Sequence, residues 1–267
     1  MRRRLLRGAV AALAALSLAL FGTAMPVKAQ DSNANYWTYI NLLMSAFDKG
    51  RDGLSPAEAA ALIQEIVGAV NGSKVDLLAR LDSQITNELH GKAEAALTKV
   101  EMLRVPWLAG PAVNSMHDAA YSAKAHVATV RGNDAALDTV GRAMIALFTE
   151  LNTAYVTIDA DEGSNLAPLQ RQYFRQGLES LIQAMEPGCE YTGMPNAGVI
   201  SYVCDWNGRT VRAVYTATTN TYTVDGGLPI TGRIDAAFVQ DYLMAGTARE
   251  LAKRALEILI REGVTLP

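Results

Sequence analysis

Four groupings of side chains could do chemistry here: two cysteines, three histidines, two short acidic clusters, and one acid set in an apolar stripe. Cys189 and Cys204 could pair as a disulfide or supply a thiol nucleophile. A thiolate needs a neighbouring base, and none of His90, His117 or His126 is near either cysteine in the chain. Pairing is the expectation, and closing a loop of this size stabilises a fold by about 3 kcal/mol in the chain-entropy model.

The run Asp48-Lys49-Gly50-Arg51-Asp52-Gly53-Leu54-Ser55 has the look of a calcium loop between helices. Counted from Asp48, the positions that need an oxygen ligand, an apolar residue and a bidentate Glu hold Gly50, Ser55 and Ala59. Leu54 and Glu58 each come one residue early, so a turn followed by a helix cap explains the run better. Calcium held by Asp48 and Asp52 is the weaker alternative. Asp159, Asp161 and Asn165 put oxygen ligands at intervals around Gly163, and calcium is plentiful outside cells. The bland reading is solvated charge before a helix N-terminus.

His117 and His126 are nine residues apart on one predicted helix, which sets them about 180° apart around its axis. They cannot share an ion, and with His90 they fall at the edges of apolar faces. Asp82 is the acid that lies within a stripe, between Leu78, Ile85 and Leu89. A buried carboxylate is costly unless it is paired, so Asp82 marks either a basic partner, with Arg142 a candidate, or a functional cavity. The chain contains no His-Glu-x-x-His pair, no Gly-x-Ser-x-Gly elbow and no phosphate-cradling glycine loop.

The elements that must position these residues are mostly helical. Residues 31–186 carry apolar side chains at spacings of three and four and predict a bundle of antiparallel helices. Helices are expected over about 36–47, 55–70, 73–104, 111–130, 134–158 and 166–185. Ser55, Pro56 and Glu58 open the second, Asn71-Gly72 closes it, and the third is long enough to carry one stripe from Val75 to Leu103. After Pro187-Gly188 the period falls to two. Val199 to Trp206 and Arg209 to Thr216 flank Asn207-Gly208, the signature of a two-residue hairpin turn, and set Trp206 opposite Arg209, Cys204 opposite Val211, Tyr202 opposite Ala213 and Ile200 opposite Tyr215. Ile200, Tyr202, Cys204, Trp206, Val211 and Tyr215 then form one apolar face expected to pack on the bundle. A third strand at 221–224 completes a meander over 189–225, with the Cys189 loop pinned beneath it. A last helix is expected over about 234–262, within a closing segment 232–263. The fold class is mainly α with a small antiparallel β part, and residues 30–267 read as one domain.

Residues 1–29 carry five basic groups, no acid, and an Ala/Leu-rich stretch ending in small residues, which predicts a cleaved secretory signal. A retained anchor is the rival, but the apolar stretch barely reaches the roughly 18 residues a span needs. Arg2-Arg3-Arg4-Leu5-Leu6-Arg7 also fits twin-arginine export. The remaining 238 residues hold 19 basic and 27 acidic groups, a net charge of −8. That balance argues against nucleic acid and anionic lipid as partners.

The expected function is an exported interaction or structural module, with a protein or cell-surface component as partner and no cofactor unless calcium binds the acidic clusters. A secreted hydrolase or metal-dependent enzyme is one alternative. A membrane-active protein built like a helical pore-former is the other, although no stretch after residue 29 reaches 18 apolar residues.

Overall fold

The computed structural model describes residues 34–50, 54–84, 87–162, 166–194 and 198–266. The leader expected at 1–29 lies outside them. The chain is mainly α: eight helices among the described residues, with a five-stranded antiparallel sheet before the last two.

Helix α1 (Ala34–Gly50) buries Tyr36, Tyr39, Ile40, Leu43 and Phe47 along one face. Helix α2 (Pro56–Gln84) opens with the expected capping box. The Ser55 N–H donates to Glu58 Oε2 at 2.9 Å and the Glu58 N–H to Ser55 Oγ at 3.3 Å.

Asn71-Gly72 does not stop this helix. A glycine inside a helix costs about 1 kcal/mol. Burial of Val70, Ser73 and Leu77 on either side outweighs it. Nor is there one long helix over 73–104. The chain turns back between Gln84 and Asn87, and α3 (Asn87–Lys99), continued by a 3-10 turn at Val100–Arg104, runs antiparallel to the second half of α2. Contacts run in opposite senses along the two: Asn71 to Glu101 at 3.4 Å, Lys74 to Thr98 at 2.7 Å, and His90 to Asp82 at 3.3 Å.

Helix α4 (Pro106–Thr129) starts at Pro106 and contains Pro111, the residue expected to begin it. Helix α5 (Asp134–Glu162) is the centre, and every residue from Thr139 to Ala154 is buried. It packs against α1, α2, α4, α8 and α6 (Ala167–Ala184). Phe148 of α5 stacks on Phe174 of α6 with ring centroids 5.2 Å apart. Gly141 allows the closest approach, since a Cβ there would lie 2.7 Å from a Leu181 methyl and 2.8 Å from the Ala248 Cβ.

The sheet is a meander in chain order: β1 (Gly188–Met194), β2 (Val199–Trp206), β3 (Arg209–Thr216), β4 (Thr221–Val224) and β5 (Ile230–Thr231). The β2–β3 register is the expected one, and Asn207 and Gly208 both take positive φ, 49° and 70°. Cys189 is not in a loop beneath the hairpin. It lies on β1, directly opposite Cys204, and the two form a disulfide. Replacing both with Ser should lower the free energy of unfolding by about 3 kcal/mol in urea titration. The change acts mainly on the unfolded chain, so the β1 ladder should survive it.

The expected last helix is two, α7 (Ala236–Leu243) and α8 (Ala248–Arg261), broken at Gly246 with φ 80°. The Gly246 N–H donates to Glu250 Oε2 at 2.8 Å, and Asp138 of α5 accepts from the Ala248 N–H at 2.6 Å.

Candidate functional site

The residues singled out for chemistry do not come together. Asp82 is exposed, with 68% of its side chain accessible, and pairs with His90, not Arg142. The buried positions on that stretch are Ser73, Leu77 and Leu81, while Val75 is 81% exposed. The expected stripe has the phase of α3, where Leu89, Ala93 and Ala96 are buried, and α2 buries a different set. His117 stacks on Tyr121 at 4.2 Å, and His126 Nδ1 lies 2.8 Å from the Ser122 carbonyl.

Asp48 is exposed in the last turn of α1, and Asp52 lies outside the described residues. Asp159 and Asp161 sit on helical backbone, since α5 continues to Glu162 where a turn was expected; Asn165 lies outside the described residues. Helices α1 and α5 run in the same direction, so Asp48 and the last turn of α5 belong to one end of the helical body: a Cβ on Gly50 would meet Val156 at 3.1 Å and Arg171 at 3.7 Å. Among the described residues, no group of three or more His, Cys, Asp or Glu could hold a metal ion.

The concentration of buried polar groups lies elsewhere, on α5. Thr139, Arg142, Thr149, Glu150, Thr153 and Thr157 are buried and share one side of the helix. They span an arc of about 100° on the helix. This stripe faces the seam between α1 and α2. Tyr39 donates to Glu150 Oε1 at 3.1 Å and shares a 2.6 Å hydrogen bond with Ser73, whose Oγ also lies 2.9 Å from the Ala69 carbonyl. Tyr36 donates to Asp76 at 3.3 Å, and its ring lies 5.0 Å from the Arg142 guanidinium. Arg142 donates to Asp138 at 2.9 Å and to the Gly246 carbonyl at 2.5 Å, tying the α7–α8 break to α5.

Glu150 is the most perturbed acid of this seam. Desolvation by burial raises its pKa to about 8, and the Tyr39 hydrogen bond opposes that only in part. Burial and the adjacent Glu150 push the Tyr39 phenol well above its ordinary value. Glu150 is therefore protonated at neutral pH. Among the described residues, its Oε2 has no hydrogen-bond partner, and neither do Thr149 Oγ1 and Asn152 Oδ1. Asn152 lies about 160° around the helix from Glu150, so these oxygens do not converge on one ion. In the sequence Glu150 and Arg142 are interruptions of an apolar helix, and their shared phase with four threonines gains a meaning only once α1 and α2 are packed against it.

A second feature lies on the sheet. Residues directly opposite in an antiparallel ladder point to the same side. One rung of the face that meets α7 is therefore Tyr191-Tyr202-Ala213-Val224, and the next is Gly193-Ile200-Tyr215-Tyr222-Ile230. Helix α7 packs on β2 and β3, and Cys204, Trp206, Val211 and Ala213 are buried on this face, near the Asn207-Gly208 turn. Beyond them the cover ends, contrary to the expectation that the whole face is packed. Ile200, Tyr202, Tyr215 and Tyr222 are half-buried, Tyr191 is 61% exposed and Ile230 is exposed. The Tyr191 and Tyr202 rings lie 5.6 Å apart, and Phe238, itself exposed, meets Tyr222 edge-on at 5.4 Å.

Fold and site together define a mainly helical protein with a disulfide-linked antiparallel sheet whose tyrosine-rich face is partly uncovered. Comparison of the chain with models of protein families, with curated proteins and with solved structures found no match.

Proposed function

We propose that the chain is an exported helical-bundle module that binds a protein partner through the tyrosine face of its sheet. The observation that carries this reading is the pair of adjacent rungs with four tyrosines and two isoleucines left open beyond α7. Tyrosine gives large contact area with little side-chain entropy to lose, and clustered exposed aromatic groups favour recognition over a solvated surface. The β1 strand beside this face is seven residues long and has a sheet neighbour on one side only, so its other edge offers main-chain groups to an extended segment. Export is supported by the leader-like residues 1–29 and by the disulfide, which persists in oxidising compartments. No helix among the described residues is long and apolar enough to cross a membrane.

The enzyme alternative draws no support from Glu150, the acid most shifted by burial, because it is 0% exposed. The test is capture of cell-surface proteins on the immobilised mature chain, compared with a Tyr191→Ser/Ile230→Ser variant. Both sites are exposed, so unfolding should shift by no more than about 0.5 kcal/mol. Binding should fall at least about tenfold, while Val75→Ser, at an exposed apolar site on α2, leaves it intact. Equal binding by all three proteins would sink the reading, and dye release from liposomes by the mature chain would replace it with the membrane-active one.

A further inference from the structure

We propose that Glu150 is the trigger of a proton-operated latch that holds α1 against the helical body, closed while the carboxyl keeps its proton and released when the proton is lost. The geometry places every part of such a latch at one seam. Glu150 is fully buried, one oxygen accepts from Tyr39, and the other has no partner among the described residues. The neutral acid tolerates that position. A carboxylate there would have a single hydrogen bond from the described residues, and a buried charge without compensation forces either hydration or separation of the surfaces around it.

Among the described residues, no charged group is shown paired with Glu150. On α1 the facing groups are Tyr36 and Tyr39, both hydrogen-bond donors without charge. Helix α2 presents Ser73 to the seam, with Asp76 and Arg80 paired to each other one turn further on. Within α5, Arg142 is two turns away and engaged by Asp138 and Gly246. Helix α8 brings Glu250, bound to the Gly246 N–H, and Arg249, paired with Asp241. The buried side chains of α3 are apolar. The titratable groups His117 and Tyr173 lie against Tyr121, which meets Phe148, about 160° around α5 from Glu150. Ionisation of Glu150 therefore acts on its nearest removable neighbour, the α1 surface that carries Tyr39.

Tyr39 sets where the latch opens. Its hydrogen bond favours the ionised acid, so without it the proton is held more tightly.

Hydrogen exchange measured by mass spectrometry on the mature protein, corrected for the intrinsic pH dependence of exchange, tests this. Protection of α1 amides should fall by about tenfold or more between roughly pH 6 and pH 9.5, ahead of any change in α4 and α6. In Glu150→Gln the α1 protection should stay level over the same interval, and in Tyr39→Phe its fall should move to higher pH. Level α1 protection in the natural chain, an equal fall in Glu150→Gln, or a fall shared evenly by all helices would each overturn the latch.

Discussion

Arg142→Ala is expected to lower the free energy of unfolding by about 3–5 kcal/mol, the cost of breaking a buried ion pair by removing one partner. The guanidinium is 2% exposed and makes three contacts at once: the Asp138 carboxylate at 2.9 Å, the Gly246 carbonyl at 2.5 Å and the face of Tyr36 at 5.0 Å. Truncation leaves the Gly246 carbonyl without this donor and a cavity beneath α1. Asp138 would lose the partner that holds it beside the Ala248 N–H, from which it accepts at 2.6 Å, so the start of α8 should loosen as well. Arg142→Lys should recover only part of the loss, because an ammonium lacks the planar fork that reaches carboxylate and carbonyl together. Urea titration followed by far-UV circular dichroism reads both values. If Arg142→Ala unfolds within about 1 kcal/mol of the natural chain, the junction between α5 and the α7–α8 break is not held by this residue.

That junction also shows where sequence and structure part company. Thr247-Ala248-Arg249-Glu250 has the spacing of a helix start, and Gly246 before it is a natural stop, yet an unbroken apolar period from Ile234 to Leu259 hid the break. The turn between α2 and α3 was hidden in the same way: leucines on both sides of it fit one period, and only packing decides that the second half folds back. The hairpin was legible because Asn207-Gly208 sets both turn and register locally. Strand β1 was not, because Gly-Cys-Glu-Tyr-Thr-Gly has weak alternation and acquires its strand from its partner, opposite Cys204. The buried seam was invisible for a different reason. Periodicity identifies apolar faces, and α5 is buried all round, so its polar stripe reads as noise until α1 and α2 are placed against it.

Glu150→Gln isolates the largest pH-dependent contribution, and the sign follows from the direction of the shift. The folded chain raises this carboxyl from 4.5 to about 8, so it binds the proton more tightly than the unfolded chain does. The stability this contributes is complete below the unfolded value, erodes as pH rises, and is gone once pH passes the folded value. Natural protein should therefore lose about 4–5 kcal/mol relative to Glu150→Gln between roughly pH 4.5 and pH 8.5, with most of the loss in place by neutrality. Gln keeps the shape and an oxygen to accept from Tyr39, and it cannot ionise. At about pH 4 the two proteins should differ by little more than the 1–3 kcal/mol of one unsatisfied amide hydrogen-bonding group. At about pH 9 the variant should be the more stable of the two. Parallel stability curves across this range would show that the proton on Glu150 is not what the interior of the fold depends on. Divergent curves with uniform exchange along the chain would keep the buried acid and exclude α1 as the part it releases.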